Sequence, residues 1–224
     1  MAKANENTVS AVNQMQGNSL VYYLGNPNAK TRLLILGNSI TRHAPKAEIG
    51  WEYDFGMAAS KAENDYVHRL YRQIEADGKD VFIMVRQASE WERRYFDEDI
   101  LSAFEEERRF QADVVLYRLG ENVLNPVNQE LFFGKLKEFT QFLCAEKTRL
   151  LLTTCNLSHP PVDACIERLA KEGDYPCVPL GWIGDDPALS AKGLFWHEGV
   201  QMHPSDAGMK ATAEAIYKIL KELL

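Results

Sequence analysis

The sequence predicts one α/β domain in which helices cover both faces of a mainly parallel sheet of about five strands, a three-layer α/β/α sandwich. Short continuous apolar runs alternate with segments whose apolar residues recur every three or four positions, the pattern of buried parallel strands joined by amphipathic helices. The 224 residues fall within the range of a single α/β domain. No internal repeat, low-complexity tract or long linker divides them.

Met1 to Asn18 is polar, rich in Asn and Gln, and lacks the apolar stretch of a secretory leader. Leu20 to Leu24 is a short apolar run closed by Gly25, Asn26 and Pro27, which predicts an accessory strand within a segment ending near residue 30. Leu33-Leu34-Ile35-Leu36, closed by Gly37, predicts the first central strand. Ser60-Lys61-Ala62-Glu63 reads as a capping box, with Tyr66, Leu70 and Ile74 continuing a helix that Gly78 stops. Val81 to Val85 is the second strand, Ile100, Leu101 and Phe104 open a helix, and Val114 to Tyr117 is the third strand. A helix over Phe132 to Leu143, a strand at Leu150 to Leu152, a helix from Pro161 to about Lys171 and a short strand at Cys177 to Leu180 follow. Ser205 caps the last helix, which carries Met209, Ile216 and Leu220 on one face.

Composition narrows the function. With 32 acidic against 25 basic residues the formal charge is −7, leaving no surplus to neutralise phosphates or anionic lipid, so nucleic acid and membrane are not expected partners. No stretch approaches the length of a membrane span. Cys144, Cys155, Cys165 and Cys177 form no C-x-x-C pair, which fits a reduced compartment, and a cytoplasmic protein is expected.

In parallel sheets ligands gather beyond the carboxyl ends of the strands. The first strand ends in Gly37-Asn38-Ser39-Ile40-Thr41, the third in Gly120-Glu121-Asn122, and the last helix is preceded by His203-Pro204. A hydroxyl, an amide and an imidazole thus converge on one edge. A serine needs a neighbouring base to attack a carbonyl, and the resulting oxyanion needs fixed donors.

Over about Leu33 to Leu223 these blocks resemble the SGNH/GDSL hydrolases, serine esterases and acyl hydrolases on a flavodoxin-like fold. The usual Gly-Asp-Ser stands here as Gly37-Asn38-Ser39, so the resemblance implies Ser39 as nucleophile and its amide as an oxyanion donor. Gly56-Met57-Ala58-Ala59-Ser60 is similar to the second block and implies the Ala59 amide as a further donor. Gly120-Glu121-Asn122 stands for Gly-x-Asn and implies Asn122 as the side-chain donor. Val200-Gln201-Met202-His203-Pro204, followed by Gly208, stands for Asp-x-x-His-Pro and implies His203 as base. Val200 occupies the place of the triad acid; Glu198 is the candidate to replace it, the alternative being a backbone carbonyl near Val200. The implied domain is 31–224.

Other features have plainer readings. Asn38 and His43 are candidates for substrate binding, His43 reading first as a solvated loop histidine. His197-Glu198 lacks the second histidine of a zinc-protease motif, so no metal is expected. Trp91, Tyr95 and Phe96 read as packing in preference to an aromatic wall for a sugar, and Glu105 to Arg109 as a solvated helix face laced with ion pairs. The expectation is a cofactor-free serine hydrolase of short-chain carboxylic esters, with O-acetylated carbohydrate as first substrate class and an acetylesterase as the specific activity. The alternative is a non-catalytic carbohydrate- or ligand-binding module on a degenerate version of the same fold. A nucleotide- or flavin-binding protein is disfavoured by the absence of a glycine-rich cradle after the first strand.

Overall fold

The computed structural model describes residues 21–224. The polar segment Met1 to Asn18 and the first residue of the Leu20 to Leu24 run lie outside the described residues. One sheet contains β1 (Val21–Gly25), β2 (Thr31–Gly37), β3 (Val81–Gln87), β4 (Val114–Arg118), β5 (Arg149–Thr153) and β6 (Cys177–Val178). The α-helices are α1 (Tyr66–Ala76), α2 (Ser89–Arg94), α3 (Glu105–Phe110), α4 (Gln129–Leu143), α5 (Pro160–Gly173), α6 (Trp182–Asp185), α7 (Glu198–Gln201) and α8 (Asp206–Leu223).

Spatial order is β1-β3-β2-β4-β5-β6. β2 to β6 run parallel, and β1 pairs antiparallel with β3 as an added edge. The parallel part has the flavodoxin-like order, in which the chain leaves β2 in one direction and returns to its other side at β4. That reversal opens a crevice beyond the carboxyl ends of β2 and β4, where the residues after Gly37 and Arg118 lie.

Successive strand side chains serve opposite layers. Leu33 and Ile35 pack with Val67, Leu70 and Ile74 of α1 and Met209, Ile216 and Leu220 of α8. Leu34 and Leu36 pack with Trp91, Phe132, Phe139 and Ile166 on the other face. Each fully buried aliphatic side chain contributes about 1.5–3 kcal/mol by leaving water, so both faces of the central strand anchor its carboxyl end.

Three sequence expectations change. α1 begins at Tyr66, with Asp65 as N-cap accepting the His68 amide, while Ala62–Asn64 is a separate 3-10 turn. Ser60 is drawn instead to the last helix: its hydroxyl donates to Asp206 Oδ2 at 2.5 Å and its amide to Oδ1 at 2.8 Å. The opening of the Ile100 helix is 3-10 over Ile100–Phe104 before α3. Glu105 pairs with Arg108 and Arg109 as expected of a solvated face, but Glu107 is buried against Arg86 of β3 at 2.9 Å. Trp91 and Tyr95 are core residues, Trp91 stacking on Phe139 with ring centroids 4.6 Å apart, and Phe96 is exposed.

Candidate active site

The turn after β2 is closed by the Thr41 and Arg42 amides donating to the Asn38 carbonyl at 2.9 and 3.0 Å. A side chain at Gly37 would overlap that of Thr41, so only glycine lets the strand turn so sharply. Ser39 therefore sits at the crest of the turn, half-buried, with the Met57 amide donating to its carbonyl at 2.9 Å.

His203 reaches the same point from the far end of the chain. Its own carbonyl accepts from the Ala191 amide and its amide donates to the Val200 carbonyl. A side chain at Gly208 in the next helix would run into the Leu189 carbonyl, so glycine there lets α8 approach the loop carrying the histidine. The imidazole Nε2 lies 2.7 Å from Ser39 Oγ, and Nδ1 lies 2.8 Å from the Gly199 carbonyl. With Nδ1–H donating to that carbonyl, Nε2 is left to accept from the serine hydroxyl. Burial pushes the His203 pKa down to about 4, nearby His43 and Arg118 lowering it further, against the Gly199 bond and Glu121. The imidazole is thus neutral near pH 7.

Two sequence assignments are corrected here. Glu198 is exposed and, among the described residues, makes no hydrogen bond or ion pair with His203; the oxygen beside Nδ1 is the Gly199 carbonyl, a main-chain oxygen next to Val200, one turn before the histidine. Val200, at the family position of the acid, is fully buried in the core. The Ala59 amide donates to the Gly56 carbonyl at 3.1 Å, closing a turn with Ala58 at φ 73°, and so is already engaged. Of the three expected oxyanion donors, the Ser39 amide has no hydrogen-bond partner among the described residues, and Asn122 lines the cleft.

Asn38 is the third correction. It is fully buried and holds the floor of the site together in place of facing a substrate. Its Nδ2 donates to Glu92 Oε1 at 3.0 Å and Glu121 Oε2 at 2.6 Å, while its Oδ1 accepts from Arg118 NH1 at 2.8 Å and the Ile40 amide at 3.2 Å. Arg118 also pairs with Glu121 and donates to Asn156 Oδ1. Glu92 accepts from the Gly120 amide at 2.6 Å and from Asn122 Nδ2 at 2.7 Å, fixing the amide plane of Asn122. Burial and the neighbouring Glu121 push the Glu92 carboxyl above the usual carboxylate range, and the donors from Gly120, Asn38 and Asn122 oppose this.

The sequence reading does not single out Glu92, Arg118, Glu121 or Asn156. A usable signal was present, because Arg118 and Asn156 follow closely on the apolar runs of β4 and β5, where polar residues at a parallel sheet's carboxyl edge collect.

The cleft over Ser39 has a volume of about 300 Å³ and is lined by His43, Lys46, Arg93, Asn122, His197 and His203, among others. His43 is a cleft residue, its Nδ1 2.6 Å from the Ala44 carbonyl, and not a solvated loop histidine. His197 Nδ1 accepts from the Gly199 amide at 3.1 Å, supporting the turn that presents the Gly199 carbonyl.

No protein-family model matches the sequence, and no curated protein matches it. Solved structures do share its fold. A lipase/acylhydrolase from Enterococcus faecalis superposes with a TM-score of 0.61 at 14% identity, over 86% of this chain and 96% of the other. A carbohydrate esterase family 3 structure from Talaromyces cellulolyticus gives 0.55 at 14% identity, covering 86% and 97% of the two chains. A structure designated GDSL-like lipase from Parabacteroides merdae gives 0.54 at 16% identity, covering 89% and 99%. The six-stranded, mostly parallel sheet with helices on both faces is the fold of these SGNH/GDSL lipase and esterase structures.

Proposed function

We propose that this chain, which has the SGNH/GDSL fold, is a serine hydrolase of carboxylic esters acting through an acyl-enzyme on Ser39. The observation that carries the reading is the 2.7 Å contact between Ser39 Oγ and His203 Nε2, with Nδ1 held by the Gly199 carbonyl. Ser39 Oγ attacks the carbonyl carbon while His203 takes its proton. The oxyanion is met by the Ser39 amide and the Asn122 side chain. Collapse breaks the ester C–O bond, and the alkoxide takes the proton from His203. A water deprotonated by His203 then releases the acid and frees Ser39. The catalytic unit is a dyad, with a main-chain oxygen in the place of the acid.

A cleft of about 300 Å³ lies at the small end of ligand pockets, which favours a short acyl group over a long chain. An O-acetyl ester of a carbohydrate is the first substrate class, in keeping with the fold it shares with a carbohydrate esterase. The expected setting is the cytoplasm; no helix among the described residues is long and apolar enough to cross a membrane.

The test is treatment with an aryl phosphonate followed by peptide mass spectrometry, alongside 4-nitrophenyl acetate hydrolysis. Ser39 is expected to carry the adduct, and Ser39→Ala to lose both adduct and hydrolysis while keeping the parent melting temperature. An unmodified Ser39, or more than a few per cent of the parent rate in Ser39→Ala, refutes the assignment. The former outcome instead favours a binding module.

A further inference from the structure

The cleft inverts the charge of the molecule around it. The chain carries a formal charge of −7, yet among the described residues lining the cleft none is acidic, while Lys46 and Arg93 both line it together with His43, His197 and His203. Neither Lys46 nor Arg93 has an ion-pair partner among the described residues, and no carboxylate shares the cleft wall with them. Arg93 NH2 donates to Asn122 Oδ1 at 3.1 Å, which places its guanidinium beside the Asn122 amide at the cleft wall. Burial pushes the His43 imidazole down, and the nearby Lys46 and Arg93 add to this against the bond to the Ala44 carbonyl. The carboxylates beneath the floor, Glu92 and Glu121, are turned away into bonds with Asn38, Asn122, Gly120, Asn156 and Arg118. Glu198, a chain neighbour of two lining residues, is exposed and does not line the cleft.

Two unpartnered cations in a small concave site concentrate anions there, and a guanidinium with free N–H groups suits a carboxylate. Both side chains reach solvent at the cleft wall, and a neutral ester makes no charge-assisted bond with either. We propose that the substrate is a small ester that itself carries a carboxylate close to the scissile bond, bound through Lys46 and Arg93. This rests on the ester-hydrolase reading above and narrows it to an acidic substrate, such as an acylated sugar acid.

The experiment compares charged and neutral ester pairs of matched size, each rate divided by the same ester's hydroxide-catalysed rate. The acyl-side pair is the 4-nitrophenyl ester of succinate with its free carboxylate against that of monomethyl succinate. The alcohol-side pair is 4-acetoxybenzoate against its methyl ester. In one pair at least, kcat/KM is expected to favour the carboxylate about tenfold or more at 10 mM salt, where charges interact over roughly 30 Å, and to lose most of that preference at 1 M, where they reach about 3 Å. Lys46→Gln and Lys46→Glu should lower the charged-to-neutral ratio progressively, the exposed side chain being replaced while the main-chain contact of Lys46 to Trp51 stays. Neutral esters turned over as well as, or better than, their charged partners in both pairs at low salt overturn the acidic-substrate proposal and leave the hydrolase reading standing. Absence of hydrolysis of every ester, with Ser39 unmodified by the phosphonate, overturns the hydrolase reading itself and this proposal with it.

Discussion

Asn38→Asp puts back the residue that SGNH/GDSL sequences usually carry before the nucleophile, and here it should damage the protein. The Asn38 amide nitrogen donates to two carboxylates, Glu92 at 3.0 Å and Glu121 at 2.6 Å, from a side chain with no solvent exposure. Replacing that nitrogen by oxygen turns both bonds into oxygen–oxygen contacts and sets a third carboxyl beside the single cation of the cluster, Arg118. Hydrogen bonds to charged groups are worth about 1.5–3 kcal/mol each, so losing two costs at least about 3 kcal/mol. In a domain of this size that lowers the melting temperature by roughly 6–12 °C. Protonating one carboxyl restores one donor. The new carboxyl therefore has a folded-state pKa above its unfolded value, and its cost grows as pH rises from the unfolded pKa through the folded one. The assay is thermal unfolding of parent and variant at pH 5 and pH 8, where the deficit should be wider at pH 8. A variant melting within 2 °C of the parent at pH 8, or losing more at pH 5, would refute the bonding pattern assigned to Asn38.

Three further outcomes bear on the chemistry. Glu198→Gln and Glu198→Ala should both keep kcat within about threefold of the parent, because the Gly199 carbonyl holds His203; a fall of about 10² or more would restore Glu198 as the acid. Asn122→Ala should lower kcat by about 10² to 10³ with KM little changed, as measured with 4-nitrophenyl acetate, and a change confined to KM would make Asn122 a binding residue only. The base works unprotonated, so kcat/KM for a neutral ester should rise with pH through about 4 and be level towards pH 7. A midpoint at the ordinary histidine value or above contradicts the burial of the imidazole.

Much of the frame is legible in the sequence because it rests on local signals. The apolar runs of β2, β3, β4 and β5, the Ser205 cap and the stripe Met209, Ile216 and Leu220 are set by side chains within a few residues of one another. The Ser60 capping pattern misplaces the α1 start because Ser60 bonds Asp206, a partner 146 residues away that no local pattern reveals. The same limit applies at the site. Ser39 and His203 announce themselves by the turn and the His-Pro step, whereas Gly199 contributes only its carbonyl, and any residue type supplies one. Ala59 had the amide the family position requires, but the turn geometry at Ala58 decides whether that amide is free. Asn38 reads in the sequence as a candidate for substrate binding because its partners Glu92 and Glu121 come from two other segments.

Ser39 and His203 are separated by 164 positions along the chain and meet only through the docking of the last helix. During synthesis, the nucleophile's strand and its neighbours can be made and paired long before the segment bearing the base leaves the ribosome. Until α8 seats against α1, with Asp206 clasping Ser60, the hydroxyl has no imidazole beside it. On the proposed mechanism, reactivity therefore requires the last helix to be docked, and a shortened translation product ending before residue 203 would keep an inert serine.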